Sequence, residues 1–230
     1  MPGRAVVPGV RRGTDRSGRR GRAGQDRGAG VTGLRAVGLA LASLLLAACS
    51  GAPSLVAPQP SDIEVDTPEL QSLRAETGLE PCVPGAASTA LPAVTLPCLG
   101  GGEDVDLSSL EGPMIISFWA SNCTACRIEM PALQDFYEQH GDAVPVLGID
   151  YLDLYPGVAL EQVAKRGVTF PMLADPGGDL QETDQFVGVR GLPYLAFVDA
   201  DGEVVGQHTG GVTSADELVG LVDEHLGLDL

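Results

Sequence analysis

Phe118-Trp119-Ala120-Ser121-Asn122-Cys123-Thr124-Ala125-Cys126-Arg127-Ile128-Glu129-Met130-Pro131 is the stretch that decides how this 230-residue chain is read. The run from Met114 to Trp119 that leads into it is almost continuously apolar, as expected of a strand covered on both faces of a sheet. Cys126 to Gln139 then reads as a helix, with Met130, Leu133 and Tyr137 on one stripe. A Cys-x-x-Cys at a strand-to-helix junction has chemical meaning. The first turn of a helix leaves amide donors unpaired and carries partial positive charge, and both favour a thiolate. Cys123, at the open end, is therefore the expected nucleophile toward a disulfide; Cys126, one turn inside, is the expected resolving thiol.

Working outward, strand-like and helix-like segments alternate. Ala93 to Leu99 with the Gly100-Gly101-Gly102 turn suggests an N-terminal β extension. Beyond the central helix come a strand over Val144–Ile149, a helix over Val158–Arg166, a short strand over Thr169–Leu173 and a helical turn over Leu180–Phe186. Tyr194–Val198 and Glu203–Gln207, separated by Asp201-Gly202, carry the strongest hairpin signal. Ser214 offers an N-cap to a last helix, with Glu217 completing a capping box. This order predicts an α/β fold with a central mixed sheet flanked by helices.

The chain ahead of this domain divides in two. Nine of the whole chain's fourteen basic residues precede an apolar or small run, Ala36 to Ala48, that ends at Cys49. Thirteen residues are too few for a bilayer core that needs roughly 20, and suit an export signal. Residues 1–48 are thus expected to be a signal peptide, with Val31 an alternative start because residues 1–30 are long for its charged part. Residues 49–91, rich in Pro, Ala, Ser and acidic residues, read as a tether, with a short helix expected over 67–77. Residues 92–230 form the expected domain. From Cys49 onward the chain carries 5 basic and 29 acidic residues, a balance that repels phosphate backbones and excludes a nucleic-acid partner.

The segment Phe118 to Pro131 resembles the active-site segment of the TlpA-like and ResA-like membrane-anchored thioredoxins. Phe186-Val187-Gly188-Val189-Arg190-Gly191-Leu192-Pro193, with the strand and the Asp201-Gly202 turn after it, resembles the same family's cis-proline loop and terminal hairpin. The resemblance covers roughly residues 92 to 228 and implies a thioredoxin-like fold. It also implies thiol–disulfide exchange on exported proteins, with reduction for cytochrome c maturation one role and oxidative folding another. Pro193 is implied to be cis beside the dithiol, and Leu192 and Trp119 to belong to the substrate-binding surface. Glu129 matches a carboxylate that ResA-like proteins carry beside their dithiol, which implies a proton relay to Cys126; a solvated acid on the first helical turn, or a partner for Arg127, is the plainer possibility. Leu46-Ala47-Ala48-Cys49 resembles a lipobox, implying a lipid anchor at Cys49, an extracytoplasmic location and a membrane redox donor. The sequence departs from the family in Thr124-Ala125 between the cysteines, in Asn122 before them, and in Ser117 where thioredoxins bury an aspartate.

Five cysteines then separate into Cys49, the Cys123–Cys126 pair, and Cys82 with Cys98. In an exported chain the last two are expected to bridge, closing a loop of about 15 residues worth ~3 kcal/mol in the chain-entropy model; free or regulatory thiols are the alternative. No metal or cofactor is expected. A zinc site needs two more ligands, and His140, His208 and His225 are scattered. Two alternative functions remain. A copper chaperone would use the two thiolates as soft ligands, but metallochaperones resembling this fold space their cysteines by three residues. A peroxiredoxin-like peroxidase would place a threonine where Ala120 stands.

Overall fold

Met114–Trp119 (β3) is buried at all six positions, and its side chains alternate between two cores. Ile115 and Trp119 point to one face, Met114, Ile116 and Phe118 to the other, the period-2 consequence of pleating. The computed structural model describes residues 61–186 and 188–230. The expected signal peptide and Cys49 lie outside the described residues. Among those described, no helix is long and apolar enough to cross a membrane.

β3 is the middle of a five-stranded sheet. It pairs in parallel with Val146–Tyr151 (β4), which pairs in parallel with Met172–Asp175 (β5). On its other side it pairs antiparallel with Tyr194–Val198 (β6), and β6 with Val204–Thr209 (β7). The sheet is mixed, as expected: helical crossovers produce the parallel pairs, the connection after β5 returns the chain antiparallel to β3 as β6, and the Asp201-Gly202 turn pairs β6 with β7. Gly202 has φ +85, a conformation that costs glycine little.

Among the described residues, four α-helices place their buried apolar side chains in the first core. They are Pro68–Ala75 (α1), Thr124–His140 (α2), Pro156–Arg166 (α3) and Ala215–Leu226 (α4). The second face is covered without them: by Thr95–Leu96 (β1) and Val105–Asp106 (β2), an antiparallel pair, and by the connection around Leu180, Phe186 and Val189. The helix expected near Leu180 is only a 3-10 turn, Asp179–Glu182. The N-cap at Ser214 forms, its side chain accepting from Glu217 N–H at 3.2 Å. Glu217 closes the box one residue early, accepting from Thr213 N–H at 2.9 Å.

Residues 61–91 pack against this sheet. Leu70 is buried, and Arg74 donates to the carbonyls of Leu99 at 2.7 Å and Glu80 at 2.6 Å. Cys82 and Cys98 are joined by a disulfide. Both are buried, and Cys98 bridges to Leu173 of β5, so the bond ties this segment to the sheet edge.

Candidate active site

α2 begins at Thr124 with Cys123 as its N-cap, and Cys123 and Cys126 are joined by a disulfide. Cys123 Sγ accepts the Cys126 N–H at 3.1 Å, the kind of donor that stabilises a thiolate once the bond is opened. Cys126 is 0% exposed, whereas Cys123 is half-buried. A thiol partner can therefore reach only the first sulfur. The two cysteines differ in this way because the chain leaves β3, crosses Ala120–Asn122 and enters the helix with its first residue outward and its first full turn inward.

Cys123 opens onto a groove of ≈ 1070 Å³ whose walls include Tyr151, Leu154, Tyr155, Arg190 and Leu192. Leu154 and Tyr155 are exposed, Tyr155 by 59%, so apolar surface stands beside the reactive sulfur. The Leu192–Pro193 bond is cis. Gly211, at φ +80, lies across from it: a Cβ there would stand 3.3 Å from Pro193 Cγ and 3.4 Å from Glu129 Oε2. The fold thus brings Pro193 and Glu129 together on either side of one glycine.

Trp119 stands elsewhere. It is 2% exposed and its Nε1–H points at Met172 Sδ, 3.2 Å away. It is a core residue beneath the loop, not part of the groove wall, because β3 alternation turns it toward the helices.

Glu129 is 1% exposed and neither carboxylate oxygen meets a hydrogen-bond partner. Arg127 is turned away from it, donating to Ser121 O at 2.6 Å and Thr124 Oγ1 at 3.1 Å. A solvated helix-dipole acid is therefore not what the structure holds. Burial pushes the Glu129 carboxyl up to about 8, only partly offset by the facing Val212 N–H. An acid with a raised folded-state value contributes stability that is fully present below its ordinary value of 4.5 and lost as pH rises through about 8. Glu129→Gln is expected to flatten stability against pH across that window by raising Tm toward its alkaline end, and to alter the pH profile of thiol exchange. Thermal melts and exchange rates across the window check this; profiles matching the parent chain would contradict it.

Sequence reasoning missed a second acid site. Asp150 and Asp153 are both buried at the end of β4, and Asp153 accepts the Ser121 N–H at 2.5 Å. The signal was present as Asp-x-x-Asp directly after the apolar run Val146–Ile149, but charged residues ending a strand ordinarily face water.

Residues 87–207 match the AhpC/TSA family. The chain belongs to that family. Among relatives it resembles the thiol-disulfide oxidoreductase ResA of Halalkalibacterium halodurans, 31% identical over 115 residues, covering 49% of this chain and 62% of that protein. It resembles the sporulation thiol-disulfide oxidoreductase A of Bacillus subtilis at 28% over 145 residues, 60% of this chain and 86% of the relative. The solved structure of MTB dsbF, in its mixed oxidized and reduced forms, matches with a TM-score of 0.50 and 32% identity over 59% of this chain and 98% of that one. The fold is thus that of thioredoxin-like members of the AhpC/TSA family, and the matched span includes Cys123, Cys126 and Pro193.

Proposed function

We propose that this chain is an extracytoplasmic thiol–disulfide oxidoreductase, held to the membrane by lipid on Cys49 and acting on the disulfides or dithiols of exported proteins. The observation that carries the reading is the asymmetry of the pair: Cys123 caps a helix and opens on a groove, while Cys126 is wholly buried behind it. In the reducing direction, Cys123 thiolate attacks a substrate sulfur and releases one substrate thiol. Cys126 then attacks Cys123 Sγ, releases the second thiol and leaves the disulfide seen here. Two electrons pass to the substrate, and an external dithiol donor at the membrane must restore them.

Leu154, Tyr155 and Leu192 give the substrate chain an apolar bed, and the backbone before cis-Pro193 lies at its edge. Glu129, buried one turn beyond Cys126, takes or gives the proton of that thiol during resolution. The named oxidoreductase relatives support this reading, and reduction for cytochrome c maturation is its natural extension. A peroxidase reading has less support, since Ala120 supplies no hydroxyl above the sulfur. The test is reduction of insulin disulfides by the reduced full chain beside a copper(I) titration. Catalytic turnover that disappears in Cys123→Ser is expected. Tight stoichiometric copper binding without turnover would replace this reading by a metal-carrier one.

A further inference from the structure

Ser121, two residues before the nucleophile, is held at both ends. Its N–H donates to Asp153 Oδ2 at 2.5 Å, and its carbonyl accepts from Arg127 Nη1 at 2.6 Å. Asp153 Oδ1 accepts the Tyr155 N–H at 2.9 Å, so both oxygens of this carboxyl serve amide donors. That is the behaviour of an ionised group, which accepts and never donates. Asp150 lies in register with Trp119 of β3. It is 2% exposed, its Oδ1 has no partner, and it lies close enough to Asp153 for that acid to act on its carboxyl. Between the two acids Leu152 takes φ +53, the one non-glycine residue with positive φ among the described residues. That left-handed turn brings Asp153 back toward the loop it holds.

Two carboxylates in contact in a dry site do not both ionise. With Asp153 committed to two amides, Asp150 is the one that keeps a proton. Its affinity for that proton is raised well above the ordinary range, first by burial and then by the charge of Asp153. Around the pair stand Arg127 from α2, Tyr155 at the start of α3, Tyr151 on β4 and Asp175 at the end of β5. The cationic groups are Arg127, whose guanidinium is spent on Ser121 O and Thr124 Oγ1, and Arg190, which lines the same groove as Asp153.

We propose that Asp150 and Asp153 act as a one-proton pair that fixes Ser121 and thereby sets the position and reduction potential of the Cys123–Cys126 couple. They are positioning residues, since neither forms a bond with the reacting sulfurs. The inference rests on the redox reading of that couple but not on any particular substrate. While Asp150 is protonated, Asp153 holds the loop. Once the pH is high enough to ionise Asp150, two adjacent charges repel and Ser121 is released. The charge of Asp153, on the same groove as Cys123, also disfavours the Cys123 thiolate and so holds the couple toward the disulfide.

The experiment equilibrates the full chain with glutathione at defined ratios, quenches it, and counts Cys123 and Cys126 thiols by mass. Asp153→Asn removes the charge and one of the two acceptors. It is expected to shift the equilibrium toward the dithiol by roughly tenfold, which is ~30 mV for a two-electron couple. In the parent chain, alkylation of Cys123 against pH should show a second alkaline step that Asp150→Asn lacks. Carbon-13 NMR of aspartate-labelled parent chain gives an arm that needs no variant. One carboxyl should resonate as a neutral acid at pH 7 and move when the Cys123–Cys126 bond is reduced. A parental potential in Asp153→Asn, or no neutral aspartate carboxyl in the parent chain, overturns the proposal. If a variant does not fold, the NMR arm alone decides it. If the parent couple fails to exchange with glutathione, the redox reading fails, and the NMR arm still reports whether the pair holds a proton.

Discussion

Replacing Cys126 with serine is expected to turn exchange into a trap, with a mixed disulfide between Cys123 and substrate accumulating in place of released product. The first attack needs an accessible sulfur beside amide donors, and Cys123 has both, as N-cap of α2 and wall of the groove. Resolution needs a second sulfur already within reach of the first. Cys126 supplies it from one helical turn inside, where the Cα atoms are 5.3 Å apart. Its complete burial shields it from outside thiols, so without it only slow external attack frees the adduct. Cys123→Ser should form no such adduct and should lose exchange altogether. Non-reducing gels followed by mass mapping read the outcome; trapping by Cys123→Ser in place of Cys126→Ser would invert the assignment.

Removing the Cys82–Cys98 bridge is expected to cost about 3 kcal/mol, from the loop it closes in the unfolded chain. For a domain of this size that lowers Tm by on the order of 10 °C. The double variant Cys82→Ala/Cys98→Ala tests this best, because it leaves no single buried thiol. The bridge lies against β5, with Cys82 Sγ 3.2 Å from Met172 O, and neither cysteine lines the groove. Insulin reduction at low temperature should therefore persist while the melting curve moves. An unchanged Tm would mean that the segment 61–91 is held by its packing and by Arg74 alone.

What the sequence made legible follows from how local the governing physics is. The apolar run Met114–Trp119, the turn at Asp201-Gly202 and the cap at Ser214 are each set by neighbours a few residues apart, and each stands where its pattern puts it. The bridge between Cys82 and Cys98 came from counting. The cis bond before Pro193 came from resemblance, which composition and periodicity alone could not supply. Trp119 adjoins the motif in sequence, yet strand alternation sends it into the helical core and not toward the substrate. The role of Gly211 between Pro193 and Glu129 was invisible, since it depends on three segments distant in sequence meeting at one point. Asp150 and Asp153 were hidden for the same reason. Their burial is fixed by the loop after β3 and by the left-handed turn at Leu152, neither of which is written in the hydropathy of the acids themselves. The tether reading of 49–91 rested on composition, and composition does not register Arg74 reaching two carbonyls or Leu70 entering the core.

A reversible Cys123–Cys126 couple beside a fixed Cys82–Cys98 bridge is the arrangement on which the redox reading stands. Stepwise reduction of the native full chain in glutathione buffers of falling potential, with differential alkylation and mass mapping at each step, tests it directly. Cys123 and Cys126 are expected to open together, close again on reoxidation, and do so while Cys82 and Cys98 stay joined, because a buried bridge that stabilises the fold resists reductants that open an accessible one. Opening of Cys82–Cys98 first, or a Cys123–Cys126 bond that yields only when the domain is unfolded, would contradict it.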